Sequence, residues 1–344
     1  MEKTRVAING MGRIGRMVFR KAVLDDSIEL VAINASYPAE TISHMLKYDS
    51  IHGRFDGEIE ATANGILING DKIQLCSERD PLQLPWNELN IDIVIEATGK
   101  FRTQEEASLH LQSGAKKVII TAPGKSVDAT IVMGVNEEVY DPNEHDVISN
   151  ASCTTNCLAP VVKVLEDQFG IENGLMTTVH AFTNDQKNLD NPHKDLRRAR
   201  GCTQSIIPTS TGAARALGEV IPSLHGKLNG VALRVPTPNV SLVDLVVDLK
   251  TAVTEKEVNE AFWNNSKERM KGILEYNEEP LVSIDYTTSP ASAIIDGLST
   301  QVMGERKVKV LAWYDNEWGY SCRVVDLAKH VGNLLKNEKA AKVS

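Results

Sequence analysis

The chain has no run approaching the ~20 apolar residues that a membrane-spanning helix needs, which excludes a helical span. Cysteine is scarce: five in 344 residues, at positions 76, 153, 157, 202 and 322. An odd number without framework spacing excludes a disulfide scaffold. Cys153 and Cys157 form a C-x3-C pair, but no second Cys or His pair follows to complete a zinc site. Basic charge is also short, with 37 Lys and Arg against 46 Asp and Glu and a net charge of −9. That balance excludes a nucleic acid held through phosphate contacts, although local basic clusters can still serve small anions. There is no internal repeat and no low-complexity segment. Met1-Glu2-Lys3-Thr4-Arg5 runs straight into a strand, which reads as the absence of a secretory leader. With reduced thiols, the expectation is a cytoplasmic protein with no membrane partner.

What remains is an ordinary globular composition, 42% apolar and 24% charged, long enough for about two domains. Its most informative stretch is Ser149-Asn150-Ala151-Ser152-Cys153-Thr154-Thr155-Asn156-Cys157, followed by Leu158-Ala159-Pro160-Val161-Val162. Small polar residues before an apolar run read as a strand-to-helix turn with a thiol near the helix N-terminus. Helix-start N–H groups favour thiolate over thiol and can hold an oxyanion. A lone cysteine is usually a small buried hydrophobe, but Ser, Thr and Asn on both sides argue against a dry pocket. Cys153 is therefore the candidate nucleophile.

The first half reads as a nucleotide-binding α/β unit. Arg5–Asn9 is a short β run, Gly10-Met11-Gly12-Arg13-Ile14-Gly15 follows, and Arg16–Leu24 has helical spacing. The glycines permit a tight turn, close approach to a pyrophosphate and close helix–strand packing. A second strand, Glu29–Asn34, completes the βαβ unit. Where NAD enzymes carry an acidic residue on the ribose, this chain has Asn34-Ala35-Ser36-Tyr37. Ile91–Gly99 and Lys117–Pro123 read as buried parallel strands, with a helix over Gln104–Ser113 stopped by Gly114. Residues 54–75 read as hairpins, and Val147–Ser149 as the last strand before the cysteine.

In the second half a helix is expected over 158–168, then a strand, Gly174–Thr183, with His180 near its end. A lone histidine is more often structural, but Cys153 needs a base and the polar run Thr183-Asn184-Asp185-Gln186 follows. If within reach, His180 takes the thiol proton and later handles that of the substrate oxygen. The long polar segment 183–204 carries the basic cluster around Arg197, Arg198 and Arg200, a candidate phosphate site in an acidic protein. Thr209–Ala214 offers hydroxyls and N–H groups at a helix start, a second anion device. Arg234, at the end of an apolar strand, calls for an anionic partner. Strands 228–235, 240–249 and 307–314 with a helix 254–269 make a mixed sheet, and Trp313–Tyr320 leads into a last amphipathic helix, Arg323–Val331. From Asn337 the chain looks frayed.

These motifs together resemble phosphorylating glyceraldehyde-3-phosphate dehydrogenase over essentially the whole chain. Ala7–Arg16 is similar to the family's opening, with Met11 where Phe is common; Ser149–Cys157 matches its active-site signature and Trp313–Tyr320 its closing motif. The resemblance implies a Rossmann-type doubly wound domain, residues 1–152 completed by a C-terminal helix 320–344. It implies an α+β catalytic domain with a mixed sheet over 153–319. It makes Cys153 the nucleophile, forming a thioester, and His180 its base. Ser152, Thr154, Thr211 and Gly212 would hold inorganic phosphate; Thr183, Arg198 and Arg234 would grip the C3 phosphate of the substrate. Gly10, Gly12, Arg13, Ile14 and Gly15 would line the pyrophosphate. Thr98, Gly99 and Thr121 would approach the ribose and nicotinamide, and Asn316 the carboxamide, with Tyr320 in the same motif. A homotetramer is implied, with loop 183–204 reaching a neighbour's cofactor.

The missing acidic residue turns the expected cofactor toward NADP, with NAD second. Ala35 stands where NAD-using members carry Asp; Ser36 offers a hydroxyl, Arg79 a cation, and Asn191 replaces a Leu that crowds the pocket. The chain thus resembles the NADP-preferring bacterial branch, interconverting glyceraldehyde 3-phosphate and 1,3-bisphosphoglycerate in glycolysis or gluconeogenesis. Three alternatives stand beside this reading. Erythrose-4-phosphate dehydrogenase shares the nucleophile, base and cofactor fold. A Cys–His hydrolase or acyltransferase would use no nicotinamide, and a binding role would need no catalysis.

Overall fold

A computed structural model describes residues 2–343, with side chains described through Asn337. The chain divides into two compact units. The first comprises Met1–Ile131, Glu137–Ala151 and Ser321–Ser344; the second comprises Val132–Asn136 and Ser152–Tyr320.

The first unit is built on a nine-stranded sheet. In chain order its strands are β1 (Thr4–Asn9), β2 (Ile28–Asn34), β3 (Ile59–Thr62), β4 (Gly65–Ile68), β5 (Asp71–Cys76), β6 (Ile93–Glu96), β7 (Lys117–Ile120), β8 (Ala129–Thr130) and β9 (Val147–Ser149). They lie in the order β8-β9-β7-β6-β1-β2-β5-β4-β3. All pairings are parallel except those within the β3–β4–β5 meander. Buried on both faces, β1, β6 and β7 are near-continuous apolar runs, as a covered parallel sheet requires. The expected hairpins at 54–75 are this meander, and its third strand joins β2 in parallel, a pairing that no local signal announces. The helix expected over 104–113 is split at Ser108 into Gln104–Ala107 and Leu109–Gln112. A capping box between Thr103 and Glu106 starts the first piece, and the Ser108 hydroxyl donates back to Gln104 O at 2.7 Å. The first βα turn leads from β1 into α1 (Arg13–Ala22), and α2 (Ala39–Lys47) follows β2.

The second unit opens with α3 (Cys153–Phe169), which starts at the cysteine and not at the expected residue 158. Ser152 caps it, accepting from Thr155 N at 3.0 Å, a bond worth about 1 kcal/mol. Its strands are β10 (Ile171–Ala181), β11 (Ile207–Ser210), β12 (Leu228–Val235), β13 (Ser241–Leu249), β14 (Leu274–Asn277), β15 (Ala293–Asp296), β16 (Gln301–Met303) and β17 (Lys307–Tyr314). The mixed sheet runs β11-β12-β10-β13-β17-β15-β14, with β16 added to β17. Residues alternate strictly: Ser241, Val243, Leu245, Val247 and Leu249 are buried, and the residues between them are half-exposed. Helices α3 and α5 (Glu255–Lys267) take part in the layer against this sheet, and α4 (Ala213–Val220) follows β11. The last helix, α6 (Trp318–Val343), is longer than the 323–331 expected and re-enters the first unit at Ser321. There Gly332 sits over Thr4, where a Cβ would come within 2.2 Å of the threonine hydroxyl. The fraying expected from Asn337 concerns side chains that, beyond that residue, lie outside the described residues.

Candidate functional site

Strand β10 and helix α3 together present a thiol to an imidazole. Of the five cysteines, Cys153 is partly buried and the other four are buried. Its Sγ lies 3.5 Å from His180 Nε2. His180 alternates onto the buried side of β10, beside Tyr314, whose ring meets it edge-on at 5.9 Å between centroids. His180 Nδ1 is 2.7 Å from Ala181 O, which can only accept, so the ring proton sits on Nδ1 and the Nε2 lone pair faces the thiol. Arg234 Nη1 also lies 3.2 Å from Nδ1, but two donors cannot share that bond; Arg234 donates instead to Ala181 O at 3.1 Å and Thr183 Oγ1 at 2.8 Å. Burial, and then the Arg234 charge, push the His180 pKa down to about 3, so the ring is neutral as a base must be.

The thiol departs from expectation. Burial pushes Cys153 above the ordinary thiol range. Arg234, the Thr154 hydroxyl and N–H, and the Cys153 N–H all pull the other way, as foreseen for a helix start, but burial outweighs them. Both shifts favour a thiol beside a neutral imidazole.

The residues expected to hold anions differ in what already engages them. Arg234 is partly buried, its Nε has no hydrogen-bond partner, and no carboxylate forms an ion pair with it among the described residues. An unsatisfied guanidinium edge of this kind fits an oxyanion ligand. Arg198 is more committed: Nε donates to Thr209 Oγ1 at 2.9 Å, and Asp185 and Asp195 both pair with it. Asp185 also accepts the Thr183 hydroxyl, so one carboxylate fixes two predicted ligands. In the sequence Asp185 is one residue of a polar run, and only the fold gives it this role. Thr211 Oγ1 accepts from Ala213 N at 3.2 Å, and Gly212 caps α4 with open space where a Cβ would stand. Thr154 requires a correction: its hydroxyl is bonded to Tyr314 OH at 2.9 Å and buried, leaving it little to offer a phosphate directly. Asn316 is buried with Oδ1 accepting from Ser241 Oγ at 2.7 Å, which turns its amide hydrogens away from that contact. Tyr320 is buried, and Asn191 is exposed in loop 183–204, which is pinned by an Asp190–Arg200 pair.

In the first unit a crevice of about 430 Å³ opens at the carboxyl ends of β1, β2 and β6. Gly10, Gly12, Asn34, Ala35, Ser36, Arg79 and Thr98 line it. Gly10 has φ +100°, and a Cβ on Gly15 would lie 1.9 Å from Gly10 O, so both glycines are required by the turn. Gly12, at the α1 N-terminus, has open space and no side-chain cap, which fits a pyrophosphate. Arg13, Ile14, Gly15, Gly99 and Thr121 are not among the lining residues. The Arg13 guanidinium is tied to Asp49 at 2.5 Å, and as the first residue of α1 Arg13 offers the helix start its backbone. Gly99 has φ +69°, and Thr121 bonds Glu96 O from its hydroxyl at 3.0 Å. Three cations, Arg16, Arg79 and Lys100, face one carboxylate, Glu78, in the lining.

Two family models match the chain. The glyceraldehyde 3-phosphate dehydrogenase NAD binding domain covers residues 4–104, and the C-terminal domain of the same enzyme covers residues 152–316. The chain is 68% identical over 338 residues to glyceraldehyde-3-phosphate dehydrogenase 2 of Bacillus subtilis (strain 168), covering 98% of this chain and 99% of the relative. It is 60% identical over 340 residues to the protein of that name from Staphylococcus epidermidis, with 98% and 99% covered. With that of Staphylococcus aureus (strain MRSA252) it shares 59% over 342 residues, 99% of each. Among the described residues no helix is long and apolar enough to cross a membrane.

Proposed function

The chain belongs to the phosphorylating glyceraldehyde-3-phosphate dehydrogenase family, and from that membership we propose that it interconverts glyceraldehyde 3-phosphate plus phosphate and 1,3-bisphosphoglycerate, with NADP(H) preferred. The observation that carries the chemistry is the Cys153–His180 contact at 3.5 Å, with the His180 tautomer set by Ala181 O. Cys153 Sγ bonds the aldehyde carbon while the thiol proton passes through His180 to the carbonyl oxygen, giving a hemithioacetal. When bound, the nicotinamide supplies the hydride acceptor. His180 Nε2 takes the hydroxyl proton as the carbon is oxidised, leaving a thioester on Cys153. An oxygen of inorganic phosphate then attacks that carbonyl, the C–S bond breaks, and the sulfur recovers the proton from His180. Arg234, Thr183 and Arg198 hold the substrate's own phosphate, and Ser152, Thr211 and Gly212 the attacking one.

The preference for NADP is supported by Ala35 and Ser36 on the crevice wall and by the excess of cations lining it. A homotetramer is supported by the second unit's sheet, where Leu175 and Val231, 69% and 52% exposed, share a face with partly exposed Leu242, Val246 and Leu311. Absorbance at 340 nm tests the reading: reduction should require aldehyde, phosphate and dinucleotide, with kcat/KM higher for NADP than NAD. Aldehyde or ester turnover without any absorbance change would assign the pair to a hydrolase or acyltransferase instead.

A further inference from the structure

The catalytic reading leaves unused a line of buried polar groups inside the first unit. Trp86, wholly buried, donates from Nε1 to His110 Nδ1 at 3.0 Å. His110 Nε2 lies 3.1 Å from Glu96 Oε2, and Asn9 Nδ2 donates to the same oxygen at 2.6 Å. Thr98 gives Glu96 Oε1 its backbone N–H at 2.7 Å and its hydroxyl as well. Beyond Asn9, Asn34 Nδ2 donates to Asn9 Oδ1 at 2.7 Å, and Asn34 clasps the Glu78 backbone through N–H at 2.9 Å and C=O at 2.8 Å.

Neither end of this line can reverse. An indole only donates, so His110 Nδ1 must accept and its Nε2–H points at Glu96. The Asn9 amide, 3.3 Å from that nitrogen, is a second donor facing it and not its partner. At the far end the fixed backbone of Glu78 allows the Asn34 amide one orientation, and Asn9 follows from Asn34. Glu96 thus accepts from both directions, four donors in all, as an ionised carboxylate can. Fully satisfied buried networks rigidify what they connect. Here they connect Asn9 ending β1, Asn34 ending β2, Glu78 just past β5, and Thr98 just past β6. Those four residues line the nucleotide crevice, while Glu96, His110 and Trp86 do not.

We propose that Glu96, oriented by His110 and Trp86, is the positioning residue that fixes the strand ends into a crevice ready for the adenosine half of the dinucleotide. The proposal rests on the assignment of this unit to nucleotide binding. The experiment is titration calorimetry with ADP-ribose and steady-state kinetics on the full-length enzyme, unmodified and carrying Glu96→Gln or His110→Asn. Turned toward Asn9 and His110 the Gln NH2 meets two donors, and turned toward Thr98 it meets the fixed backbone N–H, so either orientation sets donor against donor. The ADP-ribose dissociation constant should rise about tenfold or more. The KM for the dinucleotide should rise in step, with kcat at saturation within about twofold, the mark of lost uniform binding. Asn at 110 still accepts from Trp86 but is too short to reach Glu96, and should weaken ADP-ribose about three- to tenfold. Neither side chain lines the crevice, so affinity lost in a folded variant is transmitted through the line. Wild-type affinity in folded Glu96→Gln overturns the proposal, as does a kcat that falls in parallel with affinity. If Glu96→Gln does not fold, His110→Asn is held to the same criteria. Failure of the unmodified enzyme to bind ADP-ribose removes the nucleotide assignment and the proposal with it.

Discussion

Lowering the pH from 8 to 5 should weaken the fold through His180, and replacing that residue by Asn should remove this part of the loss. In the unfolded chain His180 takes a proton near its ordinary value of 6.5; in the folded chain it does so only near 3, because burial and Arg234 oppose the charge. A folded pKa below the unfolded one means that the unfolded state binds the proton first as pH falls. Stability tied to the neutral ring is fully present above 6.5 and is lost progressively as pH drops toward 3. At pH 5 the loss is about 1.5 pH units at 1.36 kcal/mol each, about 2 kcal/mol, within a unit of chain whose whole stability is of order 10 kcal/mol. The ring is 3% exposed, so solvent screening takes little from that figure. The assay is urea unfolding of the unmodified enzyme and of His180→Asn at pH 8 and pH 5, with m-values compared to check that the transitions match. Asn will alter absolute stability at both pH values, but the difference between them should shrink by about 2 kcal/mol. Equal pH dependence in the two proteins would show that His180 titrates in the folded chain near its unfolded value, and a larger loss in His180→Asn that folding raises it. Only that second outcome would replace the neutral thiol–imidazole pair by an ion pair.

Cys153→Ser should abolish dehydrogenase activity while leaving ADP-ribose binding unchanged by calorimetry, since the thiol and the crevice belong to different units. Arg234→Leu should lower kcat/KM for glyceraldehyde 3-phosphate about ten- to a hundredfold more than for unphosphorylated glyceraldehyde, the range expected for one charge-assisted bond to phosphate. Equal losses on both aldehydes would mean that the arginine does not read the phosphate. Ala35→Asp should swing the ratio of kcat/KM values from NADP toward NAD by at least about an order of magnitude, since two unit charges ~4 Å apart repel by about 4 kcal/mol at an effective dielectric of ~20. An unmodified enzyme that already favours NAD would refute the reading of Ala35.

The parts of this molecule that were legible in the sequence are those whose cause is local. The glycine turn is one: a Cβ on Gly15 would strike Gly10 O, five residues away, and the spacing alone carries that information. The cysteine turn is another, with Ser152 capping the helix that bears Cys153. The alternation of β13 and the apolar runs of β1, β6 and β7 announced their strands for the same reason. Even there boundaries differ: the apolar run from Leu158 suggests a start at 158, whereas the cap at Ser152 starts α3 at Cys153.

What was not legible depends on which distant group satisfies a polar atom. The motif marks Arg13 and Thr154 as ligands, yet Asp49 claims the guanidinium of one and Tyr314 the hydroxyl of the other, 36 and 160 residues away. Asp185 organises Thr183 and Arg198 only because loop 183–204 folds back on itself, and Glu96 gathers partners from positions 9, 98 and 110. The Cys153 thiol follows the same logic. Its helix-start donors are written in the signature, but burial is a property of the assembled unit, and burial sets the net direction. A catalytic cysteine that rests protonated beside a neutral base reacts only when substrate arrives to receive the proton's counterpart. This keeps an accessible nucleophile quiet toward other electrophiles, so the alkylation rate of Cys153 should rise with pH through the ordinary thiol range and above it. A plateau of high reactivity reaching below pH 6 would identify a resting thiolate and contradict both the His180 tautomer and the burial of the pair.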